Sequence, residues 1–384
     1  MRLLFVTKVD SGDRVYRSHW RSAMRLLLVS KLHSWGGAVS TITRYTEVGR
    51  TLGHEVAVFG EQLADIPVPC SLDVEDFDYA VFVIYGASDF PDLPYLARLL
   101  DGLPKDRRVI IDCCGRYNDT IRVEHDFNHL ERLDGHQGWE WIEGFEAVSD
   151  RILQPTLTPR RDDVIPFLFH GFDPGAVSRP AALPISASGG RGDATSKPYG
   201  AIYVGNNWQR WSQIAAFLEA VEPIKDKLGP ICLSGWDWDK RPDWAVEHGV
   251  RGVDVDPELL RRLDVETKYA IPFHEVIDFL GQARFGPVFQ RPLFNHLGLV
   301  TNRTFETLCA DTIPLLMLPG EMVEAIHGPD ARSLVPDGDV AGRLEDMIAR
   351  PEAYWDAVAN VRAHLAEHHS YERRFEELLG VLGS

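Results

Sequence analysis

The chain has 384 residues, of which 45% are apolar and 25% charged, enough for two globular domains with full cores and no covalent staples. A formal net charge of -17 repels phosphate backbones and anionic lipid, so no nucleic acid or membrane surface is expected as a partner. No apolar run reaches the roughly 18 residues that span a bilayer, and five cysteines (Cys70, Cys113, Cys114, Cys232, Cys309), odd in number and without metal spacing, point to reduced thiols and a cytoplasmic location.

Met1-Arg2-Leu3-Leu4-Phe5-Val6 is nearly repeated as Met24-Arg25-Leu26-Leu27-Leu28-Val29. Lys8, Asp10, Asp13 and Arg14 break the first copy's surroundings, so it does not read as a signal peptide. Residues 1–23 are expected to be an N-terminal extension or an added edge strand. Residues 25–30 then read as a buried strand, Trp35-Gly36-Gly37 as a glycine turn and about 39–52 as an amphipathic helix. Gly53 ends that helix before a second strand at 54–59. Strands at 79–85 and 109–112 flank a helical stretch near 95–100, and 139–149 and 164–169 complete the half. Such alternation predicts a mostly parallel sheet with helices on both faces.

The run 180–198 is rich in Ala, Ser, Gly and Pro and reads as a linker. The pattern then restarts. A strand at 201–204 precedes the turn Gly205-Asn206-Asn207, a helix at 212–221 and a strand at 230–234. A helix at 275–283, a helix start at 304–309 and a strand at 313–317 follow, with strong helicity from 351 to 382. The fold expected is α/β, with two Rossmann-like, doubly wound domains facing a central cleft. The division is 24–175, a linker at 176–199, 200–350, and helices over 351–384 that pack back on the first domain.

Ligands of such sheets bind at the carboxyl ends of the strands, on loops and helix N-termini. Gly36-Gly37 and Gly205-Asn206-Asn207 are the first-strand turns of the two halves, and each would aim backbone N–H groups into the cleft; simple tight turns are the alternative. The first turn lacks the fingerprint G-x-G-x-x-G, which disfavours a dinucleotide enzyme. A sharper constellation is Asn302-Arg303-Thr304-Phe305-Glu306 before an apolar strand. Arg303 offers a planar fork for phosphate, and Glu306, on the same side of a helix start, offers a carboxylate for a ribose diol. A plain intrahelical ion pair is the competing account. His33, beside the first glycine turn, is the candidate general base. Two further patterns are set aside: the paired aspartates at Asp237/Asp239 and Asp254/Asp256 make poor metal cages, and His125/His129 lack the glutamate of a zinc-protease motif.

The block Arg303 to Ala310 resembles the donor-site motif of the spore-maturation (CgeB-type) glycosyltransferases and, more loosely, the second glutamate region of family 4 glycosyltransferases. Tyr203-Val204-Gly205-Asn206-Asn207 resembles the same family's opening of the second domain. His369-Ser370-Tyr371-Glu372-Arg373-Arg374 resembles its closing signature, and Gly36-Gly37 with Gly53-His54-Glu55-Val56 resembles the glycine loop and second-strand entry of family 4. The chain departs from the pattern at Asp311, where a glycine is usual, and at Gly298, where family 4 places its first glutamate.

The resemblance implies the GT-B architecture and transfer of a sugar from a nucleotide diphosphate sugar (UDP-, GDP- or dTDP-linked) to an unidentified acceptor, without a metal or other cofactor. It implies a donor site of Gly36, Gly37, Gly205, Asn206, Asn207, Arg210, Lys268, Tyr269, Arg303, Thr304, Phe305 and Glu306. Arg210 and Lys268 would meet the pyrophosphate, and 268–273 would hold the base through backbone contacts. The alternatives are a nucleotide-sugar epimerase of the same fold and a catalytically inactive binding protein.

Overall fold

Strands of a parallel sheet covered on both faces must be apolar throughout, and Leu26, Leu27, Leu28 and Val29 are each at most 1% exposed. The two-residue period of a strand divides them, so that Leu26 and Leu28 enter one core and Leu27 and Val29 the other. The structure is a computed structural model that describes residues 23–33, 37–118, 137–178, 197–247 and 252–383. The first copy of the repeated hexapeptide, Gly36, His125 and His129, and most of the glycine- and serine-rich linker lie outside the described residues.

The first sheet takes β1 (Arg25–Val29), β2 (Glu55–Phe59), β3 (Cys70–Ser71), β4 (Tyr79–Ile84), β5 (Arg108–Asp112), β6 (Ile152–Gln154) and β7 (Val164–Pro166). The helices among them are α1 (Gly37–Thr51), α2 (Leu93–Gly102) and α3 (Gln137–Val148). The strand order is β3-β2-β1-β4-β5-β6-β7, with every pair parallel. The second sheet takes β8 (Tyr199–Val204), β9 (Ile231–Ser234), β10 (Val265–Lys268), β11 (Ala283–Val288) and β12 (Ile313–Leu316), in the order β10-β9-β8-β11-β12, again parallel. Its helices include α4 (Trp211–Val221), α5 (Pro257–Arg262), α6 (Val276–Leu280), α7 (Pro292–Leu297), α8 (Arg303–Cys309), α9 (Gly320–His327) and α10 (Val340–Ala349). Each sheet reverses its strand order once, between β1 and β4 and between β8 and β11. These are the topological switch points where such folds open a crevice.

Two helices close the chain. In α11 (Pro351–His368), Tyr354, Val358, Val361 and Leu365 bury in the second domain's core, whereas in α12 (Tyr371–Leu382), Tyr371, Phe375, Leu378, Leu379 and Leu382 bury against α1 in the first. The residues between make the crossing. Ser370 Oγ accepts from Arg373 N (3.4 Å) and caps α12, Phe172 N donates to His369 O (2.8 Å), and buried Arg374 donates to His368 O (3.0 Å) and Glu377 (2.7 Å). Among the described residues no helix is long and apolar enough to cross a membrane, and the cysteines form no disulfide.

Four strands are absent from the sequence expectations: β3, β6, β10 and β11. β11 reads Ala-Arg-Phe-Gly-Pro-Val, and its glycine and proline mask a strand that lies in the interior of the second sheet. Gly286 has a packing reason: a Cβ there would lie 2.7 Å from Thr307 Cγ2, so only glycine lets α8 settle onto the sheet. β10 has the polar composition Val-Glu-Thr-Lys because it is an edge strand.

Candidate active site

Between the two switch points lies a cleft of about 380 Å³. Lys31 and His33 follow β1, Ala38, Val39 and Ser40 open α1, and Tyr85 and Asp89 follow β4. From the other domain come Gly205, Asn206, Trp208 and Arg210 after β8, Gly235 and Trp236 after β9, and Ala270, Ile271 and Phe273 after β10. Arg291 follows β11, and Asn302, Arg303 and Glu306 sit at the start of α8. The carboxyl ends of both sheets therefore supply the walls.

The glycine turn after β8 is built for close approach. Gly205 has φ of 157°, and a Cβ on it would lie 2.6 Å from the Tyr203 hydroxyl; a Cβ on Gly235 would lie 2.2 Å from Gly205 O. The two loops touch through bare backbone, and their amides are spent there rather than aimed into the cleft as expected: Gly205 N donates to Ser234 O (2.8 Å), Asn207 N to Trp236 O (2.9 Å) and Gly235 N to Lys268 O (2.9 Å). Asn206 lines the cleft and fixes the loop pair by accepting from Trp236 N at 3.1 Å. Asn207, 1% exposed, turns the other way and donates to Asp237 O (2.8 Å) and Asp254 O (3.2 Å). Arg210 lines the cleft and donates back to Asn206 O at 3.1 Å.

The α8 block divides as helical geometry requires. Arg303 and Glu306, three residues apart, face the cleft. Thr304 and Phe305 are buried, the first donating to Thr301 O (2.6 Å) and the second in the core beside His327. Arg303 Nη1 and Glu306 Oε2 are 2.9 Å apart but lack the alignment of a hydrogen bond. Glu306 Oε1 accepts from Ser40 Oγ (3.0 Å), and Asn302 Nδ2 donates to Gly37 O (3.0 Å), so the starts of α1 and α8 are tied across the cleft. The intrahelical pair foreseen as an alternative is thus present, with an interdomain contact added to it.

Besides Asn207, Thr304 and Phe305, two further residues of the expected donor set are elsewhere. Lys268 ends the edge strand β10, where its ammonium contacts the Tyr199 hydroxyl (2.9 Å) and Glu266 (3.2 Å) away from the cleft lining. Tyr269 is 85% exposed, and its carbonyl accepts from Ser234 Oγ (2.9 Å). The cleft is lined instead by the next residues, Ala270 and Ile271. Gly298 has φ of 62° and ends α7, and Asp311 pairs with Lys197 at 3.1 Å. The set-aside aspartates have structural partners: Asp254 pairs with Arg241 (3.2 Å), and Asp256 caps α5.

His33 lines the cleft, and a charged neighbour there is Asp89. The Asp89 carboxylate accepts from Tyr85 N and Gly86 N, both at 2.8 Å, and burial pushes its pKa up while those amides and His33 pull it down. Deeper in the wall, His170 meets Thr41 Oγ1 (2.8 Å) and the Tyr85 hydroxyl (3.2 Å), and burial lowers its pKa to about 3. Lys31, Asp89, Trp208, Trp236 and Arg291 were missed from sequence. Arg291 was hidden with β11, and the others carry a weak signal: polar or aromatic residues within a few positions of a strand's carboxyl end.

The lining carries four fixed cations, Lys31, Arg210, Arg291 and Arg303, against two carboxylates, Asp89 and Glu306. In a chain of net charge -17 this is a local reversal of sign, and it suits an anionic ligand.

No family model matches the chain, and no curated protein matches it. Solved structures do. A crystal structure of T4 phage BGT in complex with its UDP-glucose substrate matches with a TM-score of 0.57 at 12% identity, over 94% of this chain and 99% of that one. An alpha-glucosyltransferase in complex with UDP and a 13-mer DNA matches at 0.55 and 14%, over 94% and 100%. A glycosyltransferase from Rickettsia africae ESF-5 matches at 0.54 and 9%, over 94% and 98%. At such identities the likeness is one of fold, and the fold is the GT-B architecture: two Rossmann-like domains facing a central cleft.

Proposed function

We propose that the protein is a glycosyltransferase that moves a sugar from a nucleotide diphosphate sugar to an acceptor hydroxyl. The observation that carries this reading is the cationic cleft between the two switch points, an anion-accepting site in an otherwise acidic chain. The like-folded T4 phage and alpha-glucosyltransferases, whose complexes hold UDP-glucose or UDP, support it. The order of the glycine turn, the Arg303–Glu306 block and the His369–Arg374 segment supports a finer likeness to the CgeB-type and family 4 enzymes.

In this reading the donor lies on the second domain. Arg210 and Arg303 meet the diphosphate, beside the N–H groups that open α4, and offset the charge that develops as it leaves. Glu306 accepts from the ribose hydroxyls, exchanging its contact with Ser40 for them. The backbone near Ala270 and Ile271 holds the base. On the first domain, His33 takes the acceptor's proton and Asp89 stabilises the imidazolium. The arginines do the work a divalent ion would do, so turnover should survive EDTA.

A thermal-shift panel of UDP-, GDP- and dTDP-glucose tests the reading. One donor at about 100 times its dissociation constant should stabilise the fold by about 2.7 kcal/mol. Arg210→Ala should weaken the free nucleoside diphosphate more than the nucleoside. A panel without any shift removes the function, and equal losses for the two ligands remove the role of Arg210.

A further inference from the structure

Two loops of the second domain meet at one wall of the cleft, and what they hold there is an arginine. Arg291 lines the cleft directly after β11, the neighbour of β8 in the sheet. Its guanidinium carbon stands 5.8 Å from the centroid of the Trp208 ring and 5.1 Å from that of Phe294. Trp208 is itself stacked on Trp244, with ring centroids 5.3 Å apart and planes 28° from parallel. Phe294 is buried with Cys114 of the first domain, against which Tyr85 also packs. Trp244, Trp208, Arg291 and Phe294 therefore form a chain of ring contacts that ends where the two domains meet. A guanidinium is attracted to aromatic rings through its flat face and donates hydrogen bonds through its edge, so such rings fix the direction in which it donates.

The backbone serves the same arrangement. Trp208 and Arg210 both line the cleft, and Gln209 between them is 4% exposed with φ of 55°, in the left-handed region. A non-glycine residue there is strained, and strain of this kind collects at functional sites. Gly252 packs on the turn: its φ is 78°, and a Cβ on it would lie 3.3 Å from Gln209 Cα. The turn brings the ring that meets Arg291 and the arginine assigned to the diphosphate to one wall.

We propose that Arg291 is the catalytic residue that takes up the charge of the leaving group, donating to the terminal phosphate as the sugar departs, and that Trp208 is its positioning residue. This rests on the glycosyltransferase reading above, in which Arg210 and Arg303 hold the diphosphate, and it gives the third arginine of that domain a separate role. Its place at the domain junction is where a donor on the second domain meets an acceptor on the first. In the transfer the acceptor oxygen bonds to the anomeric carbon as that carbon's bond to the oxygen of the terminal phosphate breaks. The bonding pair stays on the phosphate oxygen, and the acceptor's proton passes to His33. Charge on the terminal phosphate rises during this step, and a cation fixed beforehand stabilises it without reorganising. Lys31, exposed and on a flexible stem, suits that role less. Such a group binds the departed diphosphate better than the sugar-linked donor, because only the former carries the extra charge, its terminal phosphate losing a second proton near pH ~6.

The probes are UDP, GDP and dTDP, each titrated against the full chain by calorimetry at about pH 8, where the terminal phosphate is fully ionised, beside UDP-, GDP- and dTDP-glucose. Arg291→Gln should weaken the free diphosphate about tenfold more than its glucose ester, whereas Arg210→Ala should weaken the two alike. Trp208→Leu should show part of the same selective loss, and Trp208→Phe, which keeps a ring, should restore it. Both ligands are read on one protein, so a partly unfolded variant lowers the active fraction and leaves the ratio of affinities untouched. A ratio unchanged in Arg291→Gln, or equal losses for the two ligands, overturns the role of Arg291. A selective loss in Arg291→Gln that Trp208→Leu does not share overturns the positioning by Trp208. Failure of every nucleotide to bind the wild type removes the transferase reading and this proposal with it, whereas nucleotide binding without the selective loss removes this proposal alone.

Discussion

Glu306 has two claims on its carboxylate. It pairs with Arg303 at 2.9 Å and accepts from Ser40 at 3.0 Å, yet it lines the cleft at the mouth of a parallel sheet. A purely structural Glu306 would hold the two domains together and nothing else. A ribose-binding one would give up the Ser40 contact to the sugar hydroxyls. Glu306→Gln keeps the shape and an acceptor for Ser40 but removes the charge, so it should weaken a nucleoside diphosphate about tenfold. It should also erase the preference over the 2′-deoxy form, with the melting point of the free protein little changed. Calorimetry with both nucleotides on both proteins decides, and an unchanged preference removes Glu306 from the site. At this scale the sequence was legible where spacing sufficed. A separation of three puts Arg303 and Glu306 on one face, and the same rule sends Thr304 and Phe305 inward.

Among the elements, the end of α7 shows what a glycine does at position 298. Gly298 caps that helix in the left-handed region, and a Cβ there would meet Thr156 Oγ1 at 3.2 Å. The turn also locks the domains: Thr156 Oγ1 donates to Leu297 O (3.2 Å), and Val300 N donates to Pro155 O (2.7 Å). Gly298→Ala should therefore destabilise by about 1–2 kcal/mol, read as a lower urea midpoint with an unchanged slope; a midpoint equal to wild type would show that the turn tolerates a side chain. The conformation was invisible in the sequence, where Gly298 registered only as a lost carboxylate. β11 was missed for a related reason: Gly286 and Pro287 are loop-like by composition, and the packing of α8 that selects Gly286 involves residues twenty and more positions away.

Across the whole molecule, neutral histidines stand buried in each domain (His170, His327) and half-buried at the crossing between them (His369). Burial lowers His170 to about 3, His327 to about 4 and His369 to about 3, from an ordinary 6.5. With the folded value below the unfolded one, the unfolded chain binds more protons between these limits. The contribution is intact above pH 6.5 and is lost as the pH falls toward 4. Asp89, Asp112 and Glu377, raised by burial, act in the opposite sense nearer pH 4, so pH 7 to 5 is the window in which the histidines dominate. Urea unfolding should give a lower midpoint at pH 5 than at pH 7, and a higher one would contradict the burial of these rings as neutral groups.

The sequence carried the α/β class, the restart of the pattern near residue 200, most strands, and the approximate place of the cleft. Those features depend on short-range order: apolar runs, helical spacing and glycine turns, each written within a dozen residues. It could not carry which side chains meet. Lys268 leaves the cleft because β10 is an edge strand and Tyr199 is within reach of its ammonium. Arg291 enters because β11 lies next to β8. Ser40 finds Glu306 because loops from distant segments converge at two switch points. Such contacts join residues tens to hundreds of positions apart, and no local pattern encodes a partner at that distance.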